Sequence, residues 1–222
     1  YLALLNLEYI SHLKDIQYMD TLNQNINLKL AIWLFTLCLM IIAMIFIGGV
    51  TRLTGSGLSM VEWRPFLGFL PPLTETEWQR VFELYKLSPE FKQINFWMEI
   101  SDFKFIFFWE YFHRVWGRLI GLFILIPFLY FIVTKKLKNK ILFRSSIILF
   151  LVCVQGLIGW WMVKSGLNEI ATVSQYRLSV HLSMAFIILG ISFWTALDLY
   201  EGTSKNLKSY DMIPLLFISL TI

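Results

Sequence analysis

Four stretches of the chain consist almost entirely of apolar residues, and the segments between them hold most of the charges. The stretches are residues 30–50, 105–133, 145–163 and 178–197. Because about 20 apolar residues cross the hydrocarbon core of a bilayer as a helix, each stretch predicts a transmembrane span. Another apolar stretch, at 212–222, predicts the start of a fifth span. The pattern therefore predicts an all-α fold, a polytopic transmembrane helical bundle with four complete spans.

The polar segments around the spans predict the organisation of the chain and its orientation. We expect a tail at 1–29, a four-helix half-bundle at 30–199 that includes a long loop at 51–103, a second loop at 200–211 and the truncated fifth span at 212–222. Lysines cluster at 135–140, and positive residues in short loops stay on the cytoplasmic or matrix side of a membrane. This orientation puts the tail and the second loop inside and the long loop outside.

Two short helices are predicted within the long loop. Thr74 precedes Glu75 and Glu77, which is typical of a helix start, and apolar residues follow at helical spacing. Ser88 and Pro89 indicate a second helix, since proline fits the first helical position. We expect both helices to lie against the membrane surface and to cover the outer end of the bundle.

The composition agrees with a membrane protein and excludes an ordinary soluble domain. Hydrophobic residues make up 57% of the 222 residues and charged residues 15%, and the mean hydropathy is +0.65. The net charge of +4 lies mainly in the loops, so it indicates topology and gives no reason to expect a nucleic-acid partner. Cys38 and Cys153 fall inside predicted spans, where buried, inert thiols are expected.

The second span carries ionisable residues at membrane depth. Such residues cost several kcal/mol on insertion scales, so they usually face the bundle interior and serve an ion, a proton or a cofactor. Glu110 and His113 lie on one face of a helix at i, i+3, and Gly117 and Gly121 continue from His113 at i+4 spacing. This face presents an imidazole beside a groove without side chains, which suits a flat ligand.

A second histidine, His181, lies in the fourth span at a similar predicted height. His113 and His181 lie roughly 12 Å and roughly 8 Å from the outer starts of their spans, at 1.5 Å per residue. Two neutral imidazoles from facing helices suit the two axial positions of a haem iron. Zinc held by both histidines and Glu110 is a competing prediction, and an interhelical hydrogen bond is the purely structural one.

Several cations are candidates to bind the propionate carboxylates of such a haem. Arg52, Lys164 and Arg177 lie near the outer ends of their spans, where propionates would emerge. Arg114 and Arg118 lie deeper and need acidic partners. For these two, the sequence leaves Glu110, Asp198 and a propionate open as partners.

The two spans that run outward end in similar residues. The first ends at Gly48-Gly49-Val50-Thr51-Arg52 before Ser56-Gly57-Leu58, and the third ends at Gly159-Trp160-Trp161-Met162-Val163-Lys164 before Ser165-Gly166-Leu167. Each is followed by an inward span with a single histidine. The similarity predicts two helical hairpins built alike.

A series of motifs resembles the haem A synthase family of mitochondria and alphaproteobacteria. The motifs are GGVTRLTGSGLSM at 48–60, EWRP at 62–65, PP at 71–72, PEF at 89–91, EYFHR at 110–114, QGLIGWWMVKSGL at 155–167 and YRLSVHL at 176–182. The resemblance runs from about residue 47 to residue 197, and motifs of this length and order are highly specific.

The resemblance implies an inner-membrane enzyme, bacterial or mitochondrial, with eight helices in two similar halves. It implies oxidation of the C8 methyl group of haem O to the formyl group of haem A for cytochrome oxidase. This chain would be the N-terminal half, in which His113 and His181 ligate the substrate haem O and Glu110 is the catalytic carboxylate. The C-terminal half, expected to hold haem b, lies outside these residues, so we expect this piece to be inactive by itself.

The resemblance also implies partners and leaves alternatives. Besides haem O and membrane lipid, an electron donor such as a ferredoxin is expected, contact with haem O synthase is compatible with the family, and an oligomer is left open. A b-type cytochrome with two histidine ligands is a second function, for which Glu110 would be dispensable. A proton-coupled transporter, whose histidines bind no iron, is a third.

Overall fold

The computed structural model describes residues 2–62, 70–135, 139–167 and 171–201, with side chains from residue 25 onward. The described residues form six α-helices and no strand. The helices are α1 (Leu2–Leu53), α2 (Glu75–Lys86), α3 (Pro89–Gln93), α4 (Ile100–Val133), α5 (Asn139–Lys164) and α6 (Gln175–Tyr200). The predicted all-α class is confirmed.

Four of these helices are long and apolar enough to cross a membrane. The spanning segments are Asn25–Leu53, Ile100–Val133, Asn139–Lys164 and Gln175–Tyr200. They contain the four predicted apolar stretches, which are thereby confirmed, and the chain is a multi-pass membrane protein. The predicted fifth span at 212–222 lies outside the described residues. The first span is continuous with the helix that precedes it, since α1 already begins at Leu2.

The four membrane helices are arranged in a ring. α1 contacts α4 and α6, and α5 contacts the same two helices. Within the described residues, α4 and α6 make no direct helix contact, so they lie diagonally opposite each other. Any side chains that meet between α4 and α6 therefore meet in the middle of the bundle.

One half of the ring is tightly packed. Side chains from all four helices have no exposed surface at this level, among them Leu34, Leu37, Ile124, Ile148 and Ala196. Because lipid tails are as apolar as these side chains, close packing rather than exclusion of water stabilises this end. We call it the distal half, since it lies away from α2 and α3.

Charged side chains also pair at the end of the distal half. Asp198 of α6 accepts hydrogen bonds from the Arg144 guanidinium and from Nζ of Lys140, the latter at 3.3 Å. Arg144 also lies 4.1 Å from the centroid of the Trp194 ring. Asp198 is therefore the partner of cations on α5 and not of Arg114, whose carboxylate partner is Glu110.

The short helices α2 and α3 cover the other end of the ring. Their N-caps are the predicted ones, Thr74 and Ser88, whose hydroxyl oxygens each accept a hydrogen bond from a first-turn amide. Tyr85 stacks on Phe103 of α4 with ring centroids 5.0 Å apart, and Phe82 packs beside it. We call residues 54–62 and 70–99 the cap. The prediction that two short helices form in the long loop is confirmed.

Candidate functional site

The two membrane histidines project from the diagonal helices, His113 from α4 and His181 from α6. Each ring lies against a glycine of the other helix in its own hairpin. A Cβ atom added to Gly48 of α1 would lie 3.1 Å from Cε1 of His113, and one added to Gly159 of α5 would lie 3.0 Å from Cε1 of His181. The predicted likeness of the two hairpins extends to this packing, because an imidazole rests on bare backbone in both.

The two histidines lie within electrostatic range of each other, although their helices do not touch in the described structure. Nδ1 of His181 is buried and has no hydrogen-bond partner among the described residues. On its other side, Nε2 of His181 lies 3.5 Å from the side-chain nitrogen of Gln155. An inward-facing imidazole with an unsatisfied nitrogen is a feature that a bound ligand would explain.

The ring of helices is loosely packed at the level of the histidines. No side chain between residues 149 and 164 of α5, or between 175 and 187 of α6, is fully buried. On α4, an added Cβ at Gly121 would meet nothing within 4 Å, whereas one at Gly117 would lie 3.3 Å from the methyl carbon of Met44. The predicted groove is thus open at Gly121 and covered by a flexible methionine at Gly117.

Glu110 is buried, at 3% exposure, and both of its carboxylate oxygens are hydrogen-bonded. Oε2 accepts from the Ser59 hydroxyl at 2.7 Å and from the Met60 amide at 2.6 Å. Oε1 accepts from the Arg114 guanidinium. Of the partners that the sequence left open for Arg114, the structure selects Glu110. Two of these three donors come from the cap, so Glu110 also attaches the cap to α4.

Arg114 strengthens the same attachment, because its guanidinium donates to the carbonyl oxygens of Met60 at 3.0 Å and Glu62 at 3.4 Å. A cleft of about 260 Å³ opens beside it, between α4 and the cap, and Arg118 also lines this cleft. Neither histidine is among the lining residues. The cleft therefore lies next to the histidine pair and not between its members.

The three cations predicted to bind propionates all lie at the cap end of the ring. Arg52 is exposed at the end of α1. Nζ of Lys164 lies 5.1 Å from the Trp160 ring centroid. Arg177 donates to the carbonyl oxygen of Trp161 at 2.8 Å and stacks over its ring at 4.5 Å. Two of the three cations are thus held by tryptophans at the end of α5.

The donor set fits a haem better than zinc. Within the described ranges, no three His, Cys, Asp or Glu side chains come together as metal ligands, and Glu110, the third ligand of the predicted zinc site, is fully hydrogen-bonded elsewhere. Two imidazoles from opposite helices, glycine backbone beside each ring and loose packing around them suit a flat group with two axial positions. The cysteines do not contribute: both are free, and Cys153 is exposed, where a buried thiol was predicted.

Comparison with known proteins identifies the family. Residues 31–222 match the family model described as cytochrome oxidase assembly protein. The chain belongs to this family.

Curated members of the cytochrome oxidase assembly protein family share about half of this chain's residues over the matched region. A protein of Nitrosospira multiformis named heme A synthase is 51% identical over 180 residues, which cover 80% of this chain and 51% of the relative. Heme A synthases of Nitrosomonas eutropha and Flavobacterium psychrophilum are 47% and 46% identical, covering 85% and 88% of the chain. The chain spans 53% and 60% of those two relatives. No solved structure matches.

The family that the motifs indicated is therefore confirmed. Some residues of the candidate site were not predicted from the sequence. Ser59 and the Met60 amide bind Glu110 from the cap, and Gln155 contacts His181. A polar amide inside an apolar span was a usable signal for Gln155. Ser59 gave none, because a serine in a glycine-rich loop has many ordinary uses.

Proposed function

We propose that this chain is the substrate-binding half of a haem A synthase, which oxidises the C8 methyl group of haem O to the formyl group of haem A for cytochrome oxidase. The observation that carries the proposal is the pair His113 and His181, which extend from diagonal helices, each against a glycine. The names of the relatives support the same reaction. The chain covers about half of them, so the activity is proposed for the whole protein.

In this proposal the histidines bind the iron of haem O from opposite faces, and the macrocycle occupies the loosely packed level between the helices. The bound haem supplies the substrate methyl group and its own iron. Arg52, Lys164 and Arg177 lie at the cap end, where they would pair with propionates. Gly117 and Gly121 leave room beside His113, provided that the Met44 methyl moves aside.

Glu110 is the proposed catalytic carboxylate. It lies one helical turn from His113, toward the cap, and three donors fix the position of its oxygens. A carboxylate there is placed to accept a proton from the reacting group or to stabilise positive charge that develops on it. Ser59 and Arg114 would then act as positioning residues, because each binds an oxygen of Glu110.

The proposed reaction needs components that this chain does not provide. Oxidation of a methyl group to a formyl group removes four electrons and adds an oxygen atom, so the proposed reaction requires an oxidant such as dioxygen. A haem b in the other half of the protein and an electron donor such as a ferredoxin would supply the further electrons that reduce dioxygen. Haem O synthase is the proposed source of the substrate. The proposed location is the bacterial cell membrane or the mitochondrial inner membrane, and oligomers are compatible with the proposal.

One observation favours a second function, a b-type cytochrome that only carries electrons. The carboxylate of Glu110 is fully hydrogen-bonded to the cap and to Arg114, which also suits a structural residue. In such a cytochrome, Glu110 would hold the cap in place and take no part in chemistry.

The substitution Glu110→Gln in the full-length protein separates the two functions. Haems are extracted from cells and separated, and we expect haem A to fall by about a hundredfold while haem O accumulates, since a positioned general base contributes factors of this size. Glu83→Gln is the control, because Glu83 is exposed on the cap and pairs only with Lys86 in the described structure. Haem A at the wild-type level in Glu110→Gln would refute the catalytic role of Glu110, and haem A at that level in cells that lack the protein altogether would leave the cytochrome.

A further inference from the structure

Gln155 is a polar side chain inside the α5 span, and its side-chain nitrogen contacts two atoms of His181. Its side-chain nitrogen donates a hydrogen bond to the backbone oxygen of His181 at 3.0 Å and lies 3.5 Å from Nε2 of the same residue. Its side-chain oxygen is buried and has no hydrogen-bond partner among the described residues. Gln155 and Gly159 are one turn apart on α5, so His181 is flanked by an amide and by bare backbone.

The chemistry of the amide limits how it can contact the imidazole. A glutamine nitrogen can only donate hydrogen bonds, so the contact with Nε2 of His181 is favourable when that nitrogen presents its lone pair. A neutral imidazole with its lone pair on Nε2 is the form that ligates a metal.

The other histidine has no comparable contact. Within the described residues no side-chain hydrogen bond to His113 is present, and the nearest feature of α1 is the backbone at Gly48. The two imidazoles are therefore inequivalent: one is oriented by packing alone, and the other by packing and by an amide.

We propose that Gln155 is a positioning residue for haem binding, whose amide holds the backbone of His181 and the Nε2 edge of its ring in place until iron takes the place of the contact with the ring. The hydrogen bond from Gln155 to the backbone of His181 persists on ligation and keeps the helices α5 and α6 in register. The inference rests on the proposed haem site and adds to it a residue that controls one of the two ligands.

The test is a spectroscopic titration of the purified full-length protein with ferric protoporphyrin IX. For Gln155→Leu we expect about tenfold weaker binding at the His113–His181 site, because loss of a residue that orients a ligating histidine typically reduces metal affinity by 10- to 100-fold. We also expect part of the low-spin, six-coordinate signal to become high-spin, since the His181 ring is then held less firmly. Gln155→Glu should weaken binding further, because a carboxylate cannot donate to the backbone oxygen of His181 and places an oxygen against it.

Gln175→Leu is the matched control, since Gln175 is exposed at the start of α6 and its substitution makes the same chemical change. Binding and spin state should equal the wild type there. A wild-type affinity and a fully low-spin spectrum in both Gln155 variants would overturn the inference. If the signal survives His181→Ala, the proposed haem site itself is wrong, and the two failures are thereby distinguished. Thermal unfolding of each variant separates a lost ligand from a lost fold.

Discussion

Glycine at two positions lets an imidazole rest directly on the backbone of a neighbouring helix. Gly48 receives His113 and Gly159 receives His181, and in both cases an added methyl group would lie within about 3 Å of the ring carbon Cε1. This distance is below ordinary van der Waals contact, so each ring could keep its place only if a helix moved. The glycines therefore determine how closely each imidazole approaches the neighbouring helix.

The substitution Gly159→Ala tests this role at a single methyl group. We expect it to displace the His181 ring and to weaken haem binding, since overpacking of this kind typically costs about 1–3 kcal/mol. Absorption titration with haem measures the effect. Gly156→Ala, three residues earlier on α5, is the control, because an added Cβ there meets nothing within 4 Å. Equal haem affinity in the two variants would mean that the glycine at position 159 does not determine the position of His181.

For individual residues, the sequence indicates which side chains are candidates for the site but not which groups they contact. Glu110, His113 and His181 stand out because a charged or titratable group is costly in an apolar span. The sequence could not choose between the partners of Arg114, because the choice depends on where the cap carbonyls lie. The structure places the carbonyl oxygens of Met60 and Glu62 at Arg114 and assigns Asp198 to Arg144 and Lys140.

Among the elements, the cap is the one whose attachment depends on buried polar groups. Tyr85 donates a hydrogen bond to the Glu90 carboxylate at 2.9 Å and accepts one from Asn95 at 2.8 Å. Glu90 is only 7% exposed. Burial raises the pKa of the Glu90 carboxyl to about 7, and the charge of Glu110 adds to the rise, whereas the Tyr85 hydrogen bond opposes it.

This carboxyl makes the stability of the cap dependent on pH. Its pKa is 4.5 as a free side chain and about 7 in the folded protein, so the folded cap binds the proton more tightly than the unfolded cap does. The stabilisation is therefore fully present below pH 4.5 and is lost as the pH rises to about 7, by roughly 3 kcal/mol in total. Hydrogen exchange of the α2 amides, measured between pH 5 and pH 8 and corrected for intrinsic rates, should show the loss.

Glu90→Gln is the variant that isolates this effect, because an amide oxygen can still accept the Tyr85 hydrogen bond but carries no charge. The exchange protection of α2 in this variant should no longer change with the Glu90 titration. If wild type and Glu90→Gln showed the same pH dependence, the titrating group would lie elsewhere.

The elements themselves were largely predictable, since long apolar runs determine the spans and the N-cap residues Thr74 and Ser88 determine where α2 and α3 begin. The contacts between the cap and the membrane helices were not predictable. They depend on Tyr85, Glu90 and Phe103 meeting across three helices, and no local pattern in the sequence encodes such a meeting.

Over the whole molecule, two similar hairpins form one ring and each contributes one histidine. α1 and α4 form the first, α5 and α6 the second, and the ring places α4 and α6 on a diagonal. The rise of a helix predicts that the two histidines lie at similar depth in the membrane. The diagonal arrangement was not predictable, because hairpin order along the chain does not determine how hairpins associate. It is this arrangement that turns two separate imidazoles into one pair.

The visible spectrum of the full-length protein shows whether His113 and His181 bind the same haem, as we propose. The variants are His113→Ala, His181→Ala and the double substitution, with His12→Ala, at the chain's third histidine, as the control. We predict that each single substitution removes the same low-spin haem signal, that the double variant loses no more than either, and that the control keeps it. A signal that survives both single substitutions, or two separate signals that are lost one with each histidine, would contradict the claim.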